Sequence, residues 1–210
     1  CIGLTKHLAS EHSDAYLFPN ILVPRFIKML KAKHKFFIIH ISSDCVYSGQ
    51  DAPYTDKHIP DALDYYGLSK AISENDLKDS AMILRTSTVG HEYESKNGLV
   101  EWFLSQSGSI TGFKNAFFNG VTTLTLAKII ETIVNSENLF EHGIFNVSNE
   151  RISKFKFLNL LRDVYCKNIE ILPDYSFEID RSLVMSKKID DIWEKISWEQ
   201  QIREMKEHYQ

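Results

Sequence analysis

Two hundred and ten residues, 43% apolar and 25% charged, suffice to bury the core of one large or two small domains, which excludes a stapled mini-protein, a disordered chain and a collagen-like or coiled-coil rod. Twenty-four basic residues against 28 acidic ones leave a formal net charge of −4, so there is no global basic excess to grip nucleic acid or an anionic membrane. Three widely spaced cysteines, Cys1, Cys45 and Cys166, with no CxxC pair exclude a disulfide scaffold and suit a reducing, cytoplasmic setting.

The chain opens at Cys1-Ile-Gly-Leu4 with no initiator Met and no leader pattern, which reads as a sequence entered midway through an element. Asp14 to Lys33 carries Leu17, Ile21, Phe26, Ile27 and Leu30 on helical periods, with Pro24 as a kink or boundary. Lys28, Lys31, Lys33 and Lys35 gather at the end of that helix, where positive charge suits the helix dipole. The β-branched runs Lys35 to Ser42 and Ala81 to Thr86 suit strands buried on both faces of a parallel sheet. Between them Tyr65 to Lys78 predicts a helix with Leu68, Ile72 and Leu77 as its apolar stripe. Helix, strand, helix, strand is the order of an α/β fold with a parallel sheet.

Farther on, Gly98 to Ser105 and Leu124 to Val134 predict helices and Gly143 to Ser148 a strand. Lys154 to Tyr165 predicts a helix capped by Ser153 or a neighbour, and Ile169 to Leu172 a last strand. A closing helix starts at Ser197, whose spacing to Gln200 fits a capping box, and runs through Glu207. No apolar run approaches the roughly 18 residues of a membrane span. No Gly/Ser linker interrupts the chain, so the second half is expected to pack on the first. The division falls near residue 115, into 1–115 and an interleaved 116–210.

Ser42-Ser43-Asp44-Cys45-Val46-Tyr47-Ser48-Gly49 follows directly on the first predicted strand. Hydroxyls at the carboxyl end of a parallel strand face the crevice where α/β folds bind ligands. Tyr66 and Lys70, at i and i+4 on the predicted helix, project from one face. A neighbouring ammonium favours tyrosinate and is expected to lower the Tyr66 pKa, while a Ser hydroxyl holds a substrate oxygen; together they suit proton transfer at a carbonyl or alcohol. Chance alone gives about one Tyr-x-x-x-Lys match in such a chain, so the strand-terminal serines and the fuller form Tyr66-Gly-Leu-Ser-Lys70 carry the weight.

HISSDCVYSG (40–49), YTDKHIPDALDYYGLSKAISEN (54–75) and ILRTSTVG (83–90) resemble an extended short-chain dehydrogenase/reductase, and within that superfamily the dTDP-4-dehydrorhamnose reductase (RmlD-like) branch. The resemblance runs from Cys1 to about Arg181. It implies a Rossmann-like parallel sheet with a smaller C-terminal α/β substrate-binding part, and NADPH or NADH as cofactor. It also implies Ser43, Tyr66 and Lys70 as the catalytic set: Tyr66 gives a proton to the sugar keto oxygen, Ser43 holds that oxygen and Lys70 binds the nicotinamide ribose. Cys1, Ile2, Gly3, Ser42, Thr86 and Thr88 then border the cofactor together with Tyr66 and Lys70, and Asn20 matches an Asn common in the helix that follows the opening strand. The family's G-x-x-G-x-x-G phosphate loop occurs nowhere in the sequence, which reads as an N-terminal truncation removing roughly three strands.

Where nucleotide-sugar 4,6-dehydratases of this superfamily carry Thr-Asp-Glu, this chain has Ser43-Asp44-Cys45. Elimination of water needs the acidic pair, so reduction of a nucleotide-linked 4-keto-6-deoxy sugar is favoured over dehydration. Epimerisation of a nucleotide sugar stays open, as does a non-catalytic role, because the regulatory subunit of methionine adenosyltransferase uses the same fold. On the substrate side the resemblance points to Asp44, Trp102, Asn119, Thr122 and Arg181, the last with a guanidinium suited to a diphosphate. The implied partner is a nucleotide-sugar substrate, with neither nucleic acid nor membrane, and there is room for a homo-oligomer. The eight histidines form no metal-ligand spacing.

Overall fold

The computed structural model describes residues 3–6, 13–93 and 96–209. After a 3-10 turn at Ser13–Tyr16 and a π-helical stretch at Leu17–Leu22, α1 covers Val23–Lys31. Then come β1 (Ile39–Ser43), α2 (Tyr65–Leu77), β2 (Met82–Thr86) and β3 (Thr88–Val89). The second half runs α3 (Leu99–Ser105), β4 (Gly108–Phe118), β5 (Val121–Thr122), α4 (Thr123–Val134) and β6 (Gly143–Asn146). It ends with β7 (Ile152–Ser153), α5 (Lys154–Val164), β8 (Ile169–Asp180), α6 (Lys187–Asp190) and α7 (Trp198–Tyr209).

The expected α/β class holds: β1, β2 and β6 form an all-parallel sheet in that order. Met82 and Leu84 face α4 and pack with Leu126, Ile129 and Ile133. Ile83 faces the other side, where Ile38, Leu77 and Ile27 meet it. Helices on both faces explain why β2 tolerates a continuous apolar run, and each such side chain contributes about 1.5–3 kcal/mol by leaving water.

The helix expected over 14–33 is broken in three, and Pro24 is the reason. It has no N–H to offer the Asn20 carbonyl four residues back, and the Ser73 hydroxyl of α2 donates to that carbonyl instead. Lys28 and Lys31 serve a neighbour rather than their own helix. Their ammonium groups donate to the carbonyls of Asp76 and Ser80, at the carboxyl end of α2, where positive charge and donors are both wanted.

α2 forms where expected but turns the other way. Leu68 and Ile72 are 43% and 50% exposed, whereas Gly67, Ser69, Ser73 and Glu74 are buried together with Leu77.

The second body is built on β7-β4-β8, with β4 parallel to β8 and antiparallel to β7. β4 is an element the sequence reading lacks. Its glycines at 108 and 112 weaken the strand pattern, and a register shift between Phe113 and Asn115 interrupts the alternation. β8 extends eight residues beyond the expected Leu172, through Asp180. Phe103, Phe118, Phe157, Leu161, Trp198 and Ile202 form the core of this body, and the division expected at residue 115 falls inside β4. The caps follow the sequence: Ser153 Oγ accepts from Lys156 N at 3.2 Å and Ser197 Oγ from Gln200 N at 3.2 Å. The capping box is only half formed, because the Gln200 amide donates to Glu204.

Candidate active site

At the carboxyl end of β1 the chain turns sharply. Ser43 caps the 3-10 turn Asp44–Val46, accepting from Cys45 N at 3.1 Å while its hydroxyl donates to Asp44 Oδ1 at 3.1 Å. α2 comes down on this turn at Gly67, where a Cβ would stand 2.1 Å from the Cys45 carbonyl oxygen. Only glycine permits that approach, and it brings the start of the helix that carries Tyr66 down beside the turn that carries Ser43. Asp64 caps α2 by accepting from Gly67 N at 2.9 Å and pairs with Lys6 at 2.6 Å.

The serine of the Tyr66-Gly-Leu-Ser-Lys70 run is architectural too. Ser69 Oγ donates to the Tyr66 carbonyl at 2.7 Å and accepts from Asn20 Nδ2 at 3.1 Å. Asn20, buried, also exchanges two hydrogen bonds with the backbone of Leu4. One side chain thus ties the segment 3–6 to the helix that carries Tyr66 and Lys70. Farther along α2, the Arg85 guanidinium of β2 grips Glu74 in a two-point pair at 3.0 and 2.6 Å. Both partners are buried, and the same guanidinium donates to the Tyr47 hydroxyl at 2.5 Å.

Lys70 Nζ donates to the Ile41 carbonyl at 3.3 Å. Burial lowers its pKa and the Glu74 carboxylate opposes that shift. Tyr66 departs from expectation, because its pKa is raised. Burial is the main cause, with Cys45, Asp44 and Tyr16 adding to it, and the nearby Ser43 hydroxyl only partly offsets them. With the Lys70 ammonium turned to the Ile41 carbonyl, desolvation prevails over the cation. Tyr66 therefore holds its proton at neutral pH, as a group that donates to a carbonyl oxygen must.

These residues line one cleft of about 1070 Å³ at the carboxyl ends of β1 and β2. Gly3, Ser42, Thr86 and Thr88 line it too; Cys1 and Ile2 lie outside the described residues. His40 also lines it, and its Nε2 and the Ser42 hydroxyl are buried without a hydrogen-bond partner among the described residues. Asp44, Arg181, Phe117 and Phe118 line it as well. Burial pushes the Asp44 carboxyl up, and the charges of Arg181 and Lys154 pull it back. Arg181 is fixed by Nε donating to the Tyr47 carbonyl at 2.8 Å and by Nη1 on Cys45 Sγ at 3.5 Å.

Three substrate-side expectations are corrected: Trp102, Asn119 and Thr122 do not line the cleft. Trp102 packs on the core around Phe103 and Phe157. Asn119 exchanges two hydrogen bonds with the backbone of Leu183, and Thr122 caps α4 by accepting from Thr125 N. Their polar groups are consumed by the fold. Lys154, which the sequence reading passed over, does line the cleft. Its signal was its place, a cation directly after the capping Ser153 at a strand-to-helix junction.

Residues 9–174 match the RmlD substrate binding domain. A stretch of 63 residues is 41% identical to methionine adenosyltransferase 2 subunit beta of Rattus norvegicus, covering 28% of this chain and 18% of that protein. The fold is shared with dTDP-4-dehydrorhamnose reductase from Bacillus anthracis in complex with NADP, at a TM-score of 0.86 and 19% identity over 99% of this chain and 79% of that one. It is shared as well with the reductase of the same name from Yersinia enterocolitica (TM-score 0.80, 19% identity, 99% and 79% coverage). DesIV, a dTDP-glucose 4,6-dehydratase from Streptomyces venezuelae with NAD bound, gives a TM-score of 0.77 at 15% identity, with 99% and 70% coverage.

Proposed function

The chain belongs to the RmlD substrate binding domain family, and from that premise we propose that it acts in the NAD(P)H-dependent reduction of a nucleotide-linked 4-keto-6-deoxy sugar, in deoxysugar and surface-polysaccharide biosynthesis. The observation that carries this reading is the convergence of Ser43, Tyr66 and Lys70 on one cleft, with Tyr66 bearing its proton. In this reading residues 1–115 carry the dinucleotide side and 116–210 mainly the sugar side, and the protein works in the cytoplasm without nucleic acid. Among the described residues no helix is long and apolar enough to cross a membrane.

The residues present fit a nicotinamide ribose. The Ser42 hydroxyl has no hydrogen-bond partner among the described residues and Lys70 spends one N–H on the Ile41 carbonyl. Gly3 brings bare backbone to the same spot, since a Cβ there would stand 3.6 Å from Lys70 Nζ. NADH or NADPH, when bound, supplies hydride to the carbonyl carbon. The chain's own part is to place the sugar carbonyl against Tyr66, whose hydroxyl gives its proton to the oxygen, while Ser43 holds that oxygen by a hydrogen bond. Dehydration is disfavoured at position 45. The Cys45 thiol, pushed up to about 11 by burial and by Asp44, cannot serve as the carboxylate that elimination requires.

The test is loss of reduced nicotinamide when the full-length protein meets dTDP- or UDP-linked 4-keto-6-deoxyhexoses. Tyr66→Phe should lower kcat by about 10²- to 10⁴-fold and leave cofactor affinity in place; a near-normal rate overturns the assignment. Product formation without net cofactor consumption would indicate an epimerase instead. The 63-residue match to methionine adenosyltransferase 2 subunit beta favours one further reading, a non-catalytic dinucleotide-binding subunit. A stoichiometric enzyme partner recovered on pull-down, with no turnover of any keto sugar, would establish it.

A further inference from the structure

Two cationic groups that line the cleft have donors to spare. Arg181 uses Nε and Nη1 on Tyr47 and Cys45, which leaves Nη2 without a hydrogen bond among the described residues. Lys154 Nζ makes neither a hydrogen bond nor an ion pair with any described residue and lies 4.0 Å from the centre of the Phe118 ring. Both line the cleft. The nearby carboxylate, Asp44, already accepts from Ser43 and stays out of ion-pair range of Lys154.

Lys154, half-buried at the first residue of α5 directly after the capping Ser153, holds its ammonium over the Phe118 ring with no acceptor among the described residues. Phe118 and the tie of Arg181 to the Tyr47 carbonyl keep the two cations in place, so little ordering is needed when a ligand arrives. Two adjacent, preset cations match a group with two negative charges and several acceptor oxygens.

We propose that Lys154 is a substrate-binding residue which, with Arg181, holds the diphosphate that joins nucleoside to sugar. The inference rests on the nucleotide-sugar reading above and adds to it the residue that anchors the carrier. Lys154 sets how tightly the carrier binds and so where the sugar carbonyl comes to rest against Tyr66.

Calorimetric binding of UDP and of dTDP to the full-length protein saturated with NADPH tests this without turnover. Lys154→Met keeps the apolar stem over Phe118 and should raise the Kd for the nucleoside diphosphate by about 10- to 100-fold, with NADPH affinity unchanged and Lys154→Arg close to the native value. Native binding of UDP or dTDP with an unchanged Kd in Lys154→Met overturns the inference while leaving the reductase reading intact. So does recovery of full affinity in the double variant Asp44→Asn, Lys154→Met, which would mean that Lys154 only neutralises Asp44. Failure of the unsubstituted protein to bind either nucleoside diphosphate would instead defeat the nucleotide-sugar reading, and this inference with it.

Discussion

α2 and α5 are helices of similar length that pack on sheets by opposite means. α5 obeys its sequence pattern, burying Phe157, Leu158, Leu161 and Val164. α2 reverses its own, exposing Leu68 and Ile72 and burying Ser69, Ser73 and Glu74. Apolar burial is non-directional, so it holds a helix without fixing its rotation closely. A helix that must aim Tyr66 and Lys70 is held instead by directional bonds: Asn20 to Ser69, Ser73 to the Asn20 carbonyl, and Arg85 to Glu74 at two points.

The largest effects should come from cutting each helix at its firmest hold. Glu74→Ala strands the Arg85 guanidinium in the interior and should cost about 3–5 kcal/mol in urea unfolding. Phe157→Ala should cost a similar amount, about 3–5 kcal/mol, through the cavity it leaves. The two helices then part company: Glu74→Leu with Arg85→Met should restore stability but not turnover, since apolar replacements do not set the rotation of α2. Full turnover in that double variant would break the comparison.

A second effect of comparable but smaller size belongs to His40, on the strand face beneath α2. Burial and the Lys70 charge press its pKa down to about 4 from 6.5. The unfolded chain takes up this proton near pH 6.5 and the folded chain only near pH 4. Its contribution is therefore fully present above pH 6.5, and about 3 kcal/mol is lost as pH falls to 4. His40→Leu should flatten that part of a stability-against-pH curve; an unaltered slope would show that the imidazole charges freely in the folded protein.

The smallest effect sharpens the contrast. Leu68→Gln and Ile72→Gln should each move stability by no more than about 0.5 kcal/mol, while Leu158→Ala should cost about 2–5 kcal/mol. Thermal melts of the three variants read this directly, and a loss above about 2 kcal/mol for Ile72→Gln would mean that the exposed stripe of α2 is covered in solution.

Legibility in the sequence follows the same divide. β2, α4, α5 and the closing helix were readable because continuous or amphipathic apolar runs and Ser caps are local signals. That Ser43, Tyr66 and Lys70 come together on one cleft was readable from hydroxyls after a strand and a fuller motif on a helix, and the structure shows why the motif needs its glycine: Gly67 lies against the Cys45 carbonyl. The burial of Arg85 and the orientation of α2 were not readable, since both depend on partners far along the chain. Asn119 and Thr122 look like ligand groups in any polar stretch, and only the fold reveals that Leu183 and α4 have taken their hydrogen bonds. Lys154 was missed for the converse reason, as a lysine at a helix start usually faces water.

The parallel pairing of the strands has a kinetic consequence. Ile39 aligns with Met82, Met82 with Gly143 and Gly108 with Ile169, so each pairing closes a loop of about 40 to 60 residues before any contact repays it. Folding is therefore slowed by topology. Lys70 meets the Ile41 carbonyl only after β1 and α2 have docked, and Arg181 reaches the Tyr47 carbonyl only when a stretch of chain more than twice as long as any strand crossover has closed.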